Sequence, residues 1–263
     1  MTTSFTKAII FDLDGTALPS DPKSVPSQTV INAIATAQSK VHTLFATSRN
    51  WKRAKDLAKL FKIKVPVVTL GGVQVIDPLT GKILWEQDLD PGVAEKVVEI
   101  AKQYPGSKVY DYESDKAGSL KTYKVKPITE LVTFLVSEDL VQDFVKQVKK
   151  IPLLLVETAV SFEKGMTIVS VKHIHATKFM ALQTVAKKLG LNSKECVGVG
   201  DSANDITLLN FCGTKIAMGN ATERLKELAH HIAPTVKEDG LAWVIEKFIM
   251  SDNPPPIPKK PLY

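Results

Sequence analysis

The stretch Lys7–Thr16, which reads Lys-Ala-Ile-Ile-Phe-Asp-Leu-Asp-Gly-Thr, constrains the fold of this chain more than any other. Its apolar residues predict a short strand that is buried on both faces, as the central strands of parallel sheets are. Asp12 and Asp14 follow this strand, and Gly15 marks the point at which the chain must turn. Two buried neighbouring acids are unfavourable without a cation, so the pair predicts a metal site, a catalytic site or both.

The overall composition is that of a globular protein and argues against the disordered, fibrous and membrane-spanning classes. Hydrophobic residues make up 44% and charged residues 24% of the 263 residues. No apolar run approaches the ~18 residues of a membrane span. We expect a cytoplasmic protein, because the polar residues 1–6 do not resemble the apolar segment of a signal peptide.

The formal net charge of +6 favours anionic partners. The lysines are spread along the chain with few aromatic residues between them, so we do not expect nucleic acid as the partner. A phosphorylated small molecule satisfies the same sign of charge.

Alternating strand and helix patterns predict a doubly wound α/β domain. Three apolar runs and two helical patterns alternate near the start of the chain, at residues 8–11, 27–40, 41–46, 51–61 and 65–70. This order is typical of right-handed parallel crossovers. The same alternation returns after residue 173, with a helix that begins at Lys178 and a strand at residues 196–199.

Between these two parts, the pattern changes to strands that pair as hairpins, with helices among them. The strand patterns lie at residues 73–76, 83–87, 108–112, 120–125, 153–157 and 166–171, and the helical patterns at 92–103 and 137–149. This arrangement predicts an inserted α+β domain. We therefore predict a core domain of residues 1–78 and 173–250, an inserted domain of residues 79–172, and an extended proline-rich tail at residues 251–263.

Polar side chains follow the predicted strands of the core domain at the points where each strand ends. Ligand-binding groups gather at this edge of open parallel sheets. The polar groups that follow the strands are Asp12, Asp14, Thr47, Asp201, Asn204 and Asp205. Lys178, at the start of a predicted helix, belongs to the same set.

Together these residues resemble the four motifs of the haloacid dehalogenase (HAD) superfamily of phosphotransferases. Asp12–Thr16 matches its first motif, Asp-x-Asp-Gly-Thr, and Gly200–Asp205 matches its fourth, Gly-Asp-x-x-Asn-Asp. Thr47 matches the second motif and Lys178 the third. The resemblance extends to Met250, and the insertion between the second and third motifs is similar to the type IIB cap of the Cof-like sugar phosphatase branch. It implies a Rossmann-like HAD core with an inserted α+β cap.

The resemblance also implies a Mg²⁺-dependent phosphatase that works through an aspartyl-phosphate. Asp12 would be the nucleophile. Asp14 would protonate the leaving oxygen and then deprotonate the attacking water. Thr47 and Lys178 would hold phosphoryl oxygens, and Asn204 would reach the same phosphate.

The implied metal ligands are oxygen atoms, as Mg²⁺ prefers. Asp12, the backbone carbonyl of Asp14 and Asp201 would bind the ion, and Asp205 would act through water or hydrogen bonds. Arg49 has two open interpretations: it faces the cap and binds the distal part of the substrate, or it pairs with a surface acid.

The chain departs from the usual Cof-like pattern at three places. Gly71 stands where Asn is usual, Ser48 replaces the Gly of Thr-Gly-Arg, and Phe179 follows the motif lysine in place of Gly. Two alternatives to a sugar phosphatase stay open: a phosphomutase of the same superfamily and a non-catalytic phospho-ligand binding protein. Sugar phosphates, phosphoglycerate derivatives, nucleotides and vitamin-precursor phosphates are all compatible substrates.

Overall fold

A computed structural model describes residues 6–21, 23–111, 116–125, 132–161 and 163–256 of the chain. The chain divides into two units, which are Met1–Trp85 with Thr177–Tyr263, and Glu86–Ala176. The boundaries expected from the sequence lie earlier in the chain at both junctions. Of the predicted tail, residues 257–263 lie outside the described residues.

The segment before the first junction alternates strands and helices and then ends with three successive strands. Its elements are β1 (Ala8–Phe11), α1 (Gln28–Ala37), β2 (His42–Phe45), α2 (Trp51–Leu60), β3 (Val67–Thr69), β4 (Gln74–Ile76) and β5 (Ile83–Glu86). The side chains of Ser27 and Asn50 cap α1 and α2, because each accepts a hydrogen bond from a backbone N–H in the first turn.

The second unit pairs antiparallel strands with two helices. Its elements are α3 (Pro91–Lys102), β6 (Lys108–Asp111), β7 (Lys116–Ser119), β8 (Val132–Ser137), α4 (Val141–Val148), β9 (Leu154–Val160) and β10 (Met166–His173). The sheet has the order β7-β6-β8-β10-β9, and its apolar core includes Phe134 and Phe144. The predicted strand at residues 120–125 is wrong, since β7 ends before it, and β8 went unpredicted.

The chain then returns to the first unit. The elements there are α5 (Lys178–Leu189), β11 (Cys196–Gly200), α6 (Ile206–Phe211), β12 (Thr214–Ala217), α7 (Glu223–Leu228), β13 (His231–Ile232) and α8 (Gly240–Val244), which continues as a π-helix over Ile245–Met250. Thr177 caps the start of α5, and Gly190 ends it with a left-handed φ of 65°.

The main sheet of the first unit has the order β13-β12-β11-β1-β2, with every pair parallel. β1 lies in the middle, and all four of its residues are buried. Since the strands are parallel, their carboxyl ends lie at one edge of the sheet, as expected for a doubly wound α/β core. The predicted fold class is confirmed. Among the described residues, no helix combines the length and the apolar character that crossing a bilayer requires.

β3 departs from the expectation that it would extend the main sheet. It pairs antiparallel with β4 in a separate three-stranded sheet of order β3-β4-β5. One isolated parallel bridge, between Ala46 and Val68, joins it to the end of β2. This bridge, together with a hydrogen bond from Thr47 N to Val68 O at 3.0 Å, holds the loop after β2 in place.

Candidate active site

Asp12 lies directly after β1, at the carboxyl edge of the main sheet. Its backbone N–H donates to Val199 O at 3.0 Å, so the ladder between β1 and β11 continues one residue past the strand. Its side chain is buried, with 4% of the residue exposed. Because the strand can place Asp12 only at this edge, the position of the carboxylate follows from the apolar run that precedes it.

A tight turn follows Asp12 and brings the next residues against Asp201. Gly15 has a φ of +81°, and a Cβ there would overlap the Asp201 carboxylate. Thr16 Oγ1 donates to Asp201 Oδ1 at 3.1 Å. Glycine is therefore required at position 15 both for its backbone conformation and for the close approach of Asp201.

Lys178 is the first residue of α5, and its side chain is completely buried. A Cβ at Gly72 would overlap the backbone of Thr177 and Lys178, so glycine there lets the loop after β3 approach the start of α5. Lys178 Nζ donates to Asp12 Oδ1 at 2.8 Å and to Asp205 Oδ1 at 2.6 Å. One ammonium group thus joins two carboxylates that are far apart in the sequence.

The loop after β11 holds Asp205 through its second oxygen. Asp205 Oδ2 accepts hydrogen bonds from the backbone N–H groups of Asp201 and Ser202, both at 3.0 Å, and from Ser202 Oγ at 3.3 Å. Asp205 is completely buried. A Cβ at Gly200 would lie 2.5 Å from Asp205 Cβ, so this side chain packs directly on the end of the strand.

Three of these carboxylates can hold a divalent cation. Asp12, Asp201 and Asp205 each offer one oxygen, and these oxygens lie within 4.8 Å of one another. Both Asp205 oxygens already accept hydrogen bonds, whereas no described donor reaches Asp12 Oδ2 or Asp201 Oδ2. The donor set is entirely oxygen, which suits Mg²⁺. Asp12 and Asp201 fit direct ligation, and Asp205 fits an orienting role.

The electrostatics of this cluster reflect its burial. Burial, then repulsion from Asp205, raises the pKa of Asp201 to about 7. The same two causes raise the pKa of Asp12 above its usual value. Burial alone would lower the pKa of Lys178, but Asp12 and Asp205 raise it above its usual value, so the lysine stays charged. The excess of acids over bases is what a bound cation would neutralise.

Arg49 and Asp14 form a forked ion pair. Arg49 Nε donates to Asp14 Oδ2 at 2.9 Å, and Nη2 donates to Oδ1 at 2.6 Å. Arg49 pairs with an acid, but that acid is the second carboxylate of the first motif and not a surface acid, and the contact of Arg49 with a substrate stays a prediction. The pair is part-buried, with side-chain exposures of 18% for Arg49 and 34% for Asp14.

Thr47 is buried in the loop after β2. Its hydroxyl oxygen accepts from Arg49 N at 3.1 Å, and its carbonyl accepts from Gly71 N at 2.9 Å. These contacts fix Thr47 beside Arg49.

Among the described residues, the Asn204 side chain forms no hydrogen bond with any of the predicted catalytic residues. Its Nδ2 donates to Ser48 Oγ at 2.9 Å, and its Oδ1 accepts from Ser202 Oγ at 2.7 Å. Ser48, which replaces the usual glycine, thus ties the loop after β2 to the loop after β11. The predicted contact of Asn204 with a phosphate stays a prediction.

Asn220 is a residue of this region that sequence reasoning missed. It follows β12, and its Nδ2 donates to Gly15 O at 2.9 Å. A signal for it existed, because the Gly219-Asn220 pair comes just after a strand of the main sheet, where loops supply ligand-binding groups.

Comparison with known sequences finds one family model and relatives that match over most of the chain. The profile of the haloacid dehalogenase-like hydrolase family matches residues 9–122 and 107–245. A 5-amino-6-(5-phospho-D-ribitylamino)uracil phosphatase of Bacillus subtilis is 24% identical over 260 residues, covering 93% of this chain and 96% of the relative. A phosphoglycolate phosphatase of Archaeoglobus fulgidus is 26% identical over 243 residues, with coverages of 91% and 96%.

Solved structures show the same fold. A phosphatase of the HAD enzyme superfamily from Bacteroides thetaiotaomicron superposes with a TM-score of 0.76 at 20% identity, covering 94% of this chain and 96% of its own. A HAD subclass IIB sugar phosphatase superposes with a TM-score of 0.72 at 18% identity, with coverages of 92% and 99%.

Proposed function

The chain belongs to the haloacid dehalogenase-like hydrolase family, and from this premise we propose that it hydrolyses phosphate monoesters of small metabolites through an aspartyl-phosphate, with Mg²⁺. The observation that carries the proposal is the buried contact of Lys178 with both Asp12 and Asp205 at the carboxyl edge of the sheet. The full-length relatives named as phosphatases support the same class of activity.

The nucleophile of the proposed reaction is Asp12. Its oxygen attacks phosphorus, the bond from phosphorus to the ester oxygen breaks, and the phosphoryl group moves to the Asp12 carboxylate. Lys178 holds Asp12 in place and provides positive charge beside the anionic phosphoryl group. Mg²⁺, held by Asp12, Asp201 and the Asp14 carbonyl, would supply further neutralisation of the phosphoryl oxygens.

Asp14 handles the proton in both half-reactions of the proposal. It donates a proton to the ester oxygen as the alcohol leaves, and it then takes a proton from the water that attacks the aspartyl-phosphate. The second half-reaction releases inorganic phosphate and regenerates Asp12. Arg49 holds the Asp14 carboxylate by two hydrogen bonds and so sets its orientation.

Thr47 and Asn204 complete the proposed phosphate site. Thr47 Oγ1 accepts a hydrogen bond from Arg49 N. None of the described residues accepts a hydrogen bond from the Thr47 hydroxyl, so the hydroxyl proton is available to a phosphoryl oxygen.

The second unit, Glu86–Ala176, would serve as the cap that selects the leaving group, as the insertion of the α+β domain predicts. Sugar phosphates are the proposed substrate class, and the cytoplasm is the proposed location.

A substrate screen with the purified, metal-stripped chain tests this function. Inorganic phosphate released from sugar phosphates, phosphoglycolate, nucleotides and other phosphorylated metabolites is measured with and without added Mg²⁺. We expect release from one group of related esters, only when Mg²⁺ is present. No net phosphate release from any ester would contradict the proposal, and conversion of a substrate to its phosphate isomer instead would identify a phosphomutase.

A further inference from the structure

Asn220 joins the turn after β1 to the turn that precedes α8, through both ends of its side-chain amide. Its Nδ2 donates to Gly15 O at 2.9 Å, and its Oδ1 accepts from Val236 N at 2.7 Å. The two contacts use the amide as a donor and as an acceptor at once, so they fix its orientation. An exposed side chain thus links two loops that lie far apart in the sequence.

The Gly15 carbonyl belongs to the turn that packs against a predicted metal ligand. The Gly15 Cα lies so close to the Asp201 carboxylate that a Cβ would overlap it. Thr16 Oγ1 also donates to Asp201 Oδ1. A shift of the 15–16 peptide would therefore move the two groups that limit where the Asp201 carboxylate can lie.

Asp201 is also held from the side of Asn220. Thr222 N, two residues after Asn220, donates to Asp201 O at 2.9 Å. Gly219 N donates to Pro234 O at 3.2 Å, which ties the same turn to the segment that precedes Val236. Asp201 is consequently held between two turns, and the Asn220 amide joins one turn to the other.

We propose that Asn220 is a positioning residue for the metal site, which fixes the Asp201 carboxylate relative to Asp12 by bonding the Gly15 carbonyl to the turn after β12. This proposal rests on the proposed function, because it assigns Asp12 and Asp201 as metal ligands. Asn220 acts on the ion only through these residues. Groups that are hydrogen-bonded directly to metal ligands affect metal affinity about 10- to 100-fold, and Asn220 lies one contact further from the ion, so we expect the lower end of this range.

The test is a calorimetric titration of the metal-stripped chain with Mg²⁺ alone. We expect Asn220→Ala to weaken Mg²⁺ binding about 10-fold. Asn210→Ala is the matched control, because Asn210 is an exposed asparagine whose amide accepts from Lys215 Nζ. This control should leave the Mg²⁺ Kd unchanged.

Val236→Pro tests the other end of the same link. Val236 is the first residue of a 3-10 turn, and Thr235 before it is extended, so proline fits the backbone there and removes the N–H donor. The change also trims a side chain that packs partly on the core, which affects thermal stability, whereas the Mg²⁺ Kd reports the link. We expect weaker Mg²⁺ binding, and no further loss when Val236→Pro is combined with Asn220→Ala, because both changes break one link.

The outcomes separate the two proposals. If the unchanged chain binds Mg²⁺ and the Asn220→Ala variant binds it equally tightly, the positioning role is overturned while the metal site stands. The positioning role is also overturned if the variant loses thermal stability but keeps its Mg²⁺ Kd. If the unchanged chain binds no Mg²⁺, both the metal site and the positioning role are overturned.

Discussion

Arg49 holds Asp14 with the two parallel hydrogen bonds of a guanidinium–carboxylate fork, at 2.9 Å and 2.6 Å. This geometry fixes the plane of the carboxylate as well as its position, which a lysine at the same place could not do. The two residues come from loops after neighbouring strands, β1 and β2. The proposed acid–base group is therefore oriented by a residue for which the sequence left two roles open, a contact with the substrate or a pair with a surface acid.

We expect Arg49→Ala to lower kcat/KM about 100-fold for an alkyl phosphate, within the range typical of acid–base catalysis. The reason is that Asp14 loses the contact that orients it. With p-nitrophenyl phosphate the loss should be smaller, because p-nitrophenolate leaves without a proton. Phosphate release from both esters measures this, with the exposed Arg224→Ala as control. An equal loss for both esters would contradict the orienting role.

Asp12→Asn should abolish phosphate release and leave the fold intact. Asparagine has nearly the same shape, and burial together with Asp205 already makes the charge of Asp12 unfavourable, as its raised pKa indicates. The melting temperature of the metal-free variant should therefore stay the same or rise. Asp56→Asn, on the exposed face of α2, is the control for the change of charge. Substantial turnover of p-nitrophenyl phosphate by Asp12→Asn would rule out the mechanism.

Lys178→Met should lower the free energy of unfolding of the metal-free chain by about 3–5 kcal/mol at neutral pH. Methionine fills a similar volume but leaves Asp12 and Asp205 buried without their shared cation. Denaturant titration measures this loss, and Lys187→Met on the exposed side of α5 is the control. A loss no larger than that of Lys187→Met would show that the buried ion pairs do not stabilise the fold.

Mg²⁺ should raise the melting temperature more at pH 8 than at pH 5.5. In the metal-free fold the pKa of Asp201 is about 7, against a usual value of 3.8. The folded chain therefore binds more protons than the unfolded chain between about pH 4 and pH 7, and its stability falls as the pH rises through this window. At pH 8 the cation replaces the missing proton.

Thermal melts in EDTA and in Mg²⁺ at both pH values check this prediction, with Asp201→Asn as control. The variant should lose the part of the pH dependence that Asp201 contributes. In the same samples, EDTA should stop phosphate release and Mg²⁺ should restore it. A stabilisation by Mg²⁺ that is equal at both pH values would contradict the assignment of Asp201.

Local patterns were enough to predict much of the first unit. The apolar run before Asp12 predicted β1, and the helical patterns at residues 27–40 and 51–61 predicted α1 and α2. These features depend on contacts within a few residues of each other. The family resemblance could be recognised from the sequence because its motifs are also short and local, and the match to the family model confirms it.

Pairing between strands was harder to predict. β3 was expected in the main sheet but pairs antiparallel with β4, and β8 was not recognised as a strand. Apolar runs show that a segment is buried without showing which neighbour pairs with it. The partner depends on the path of the intervening chain, which the hydrophobic pattern does not contain.

The sequence by itself determined the α/β fold class, the family and most of the polar residues that follow the strands at the carboxyl edge of the main sheet. Only the tertiary structure decided that Arg49 binds Asp14, that Lys178 joins Asp12 to Asp205, and that Asn220 bonds Gly15. The physical reason is the separation along the chain over which each interaction acts. Strand and cap preferences act over a few neighbouring residues, whereas each of these hydrogen bonds needs loops from distant positions to approach within about 3 Å.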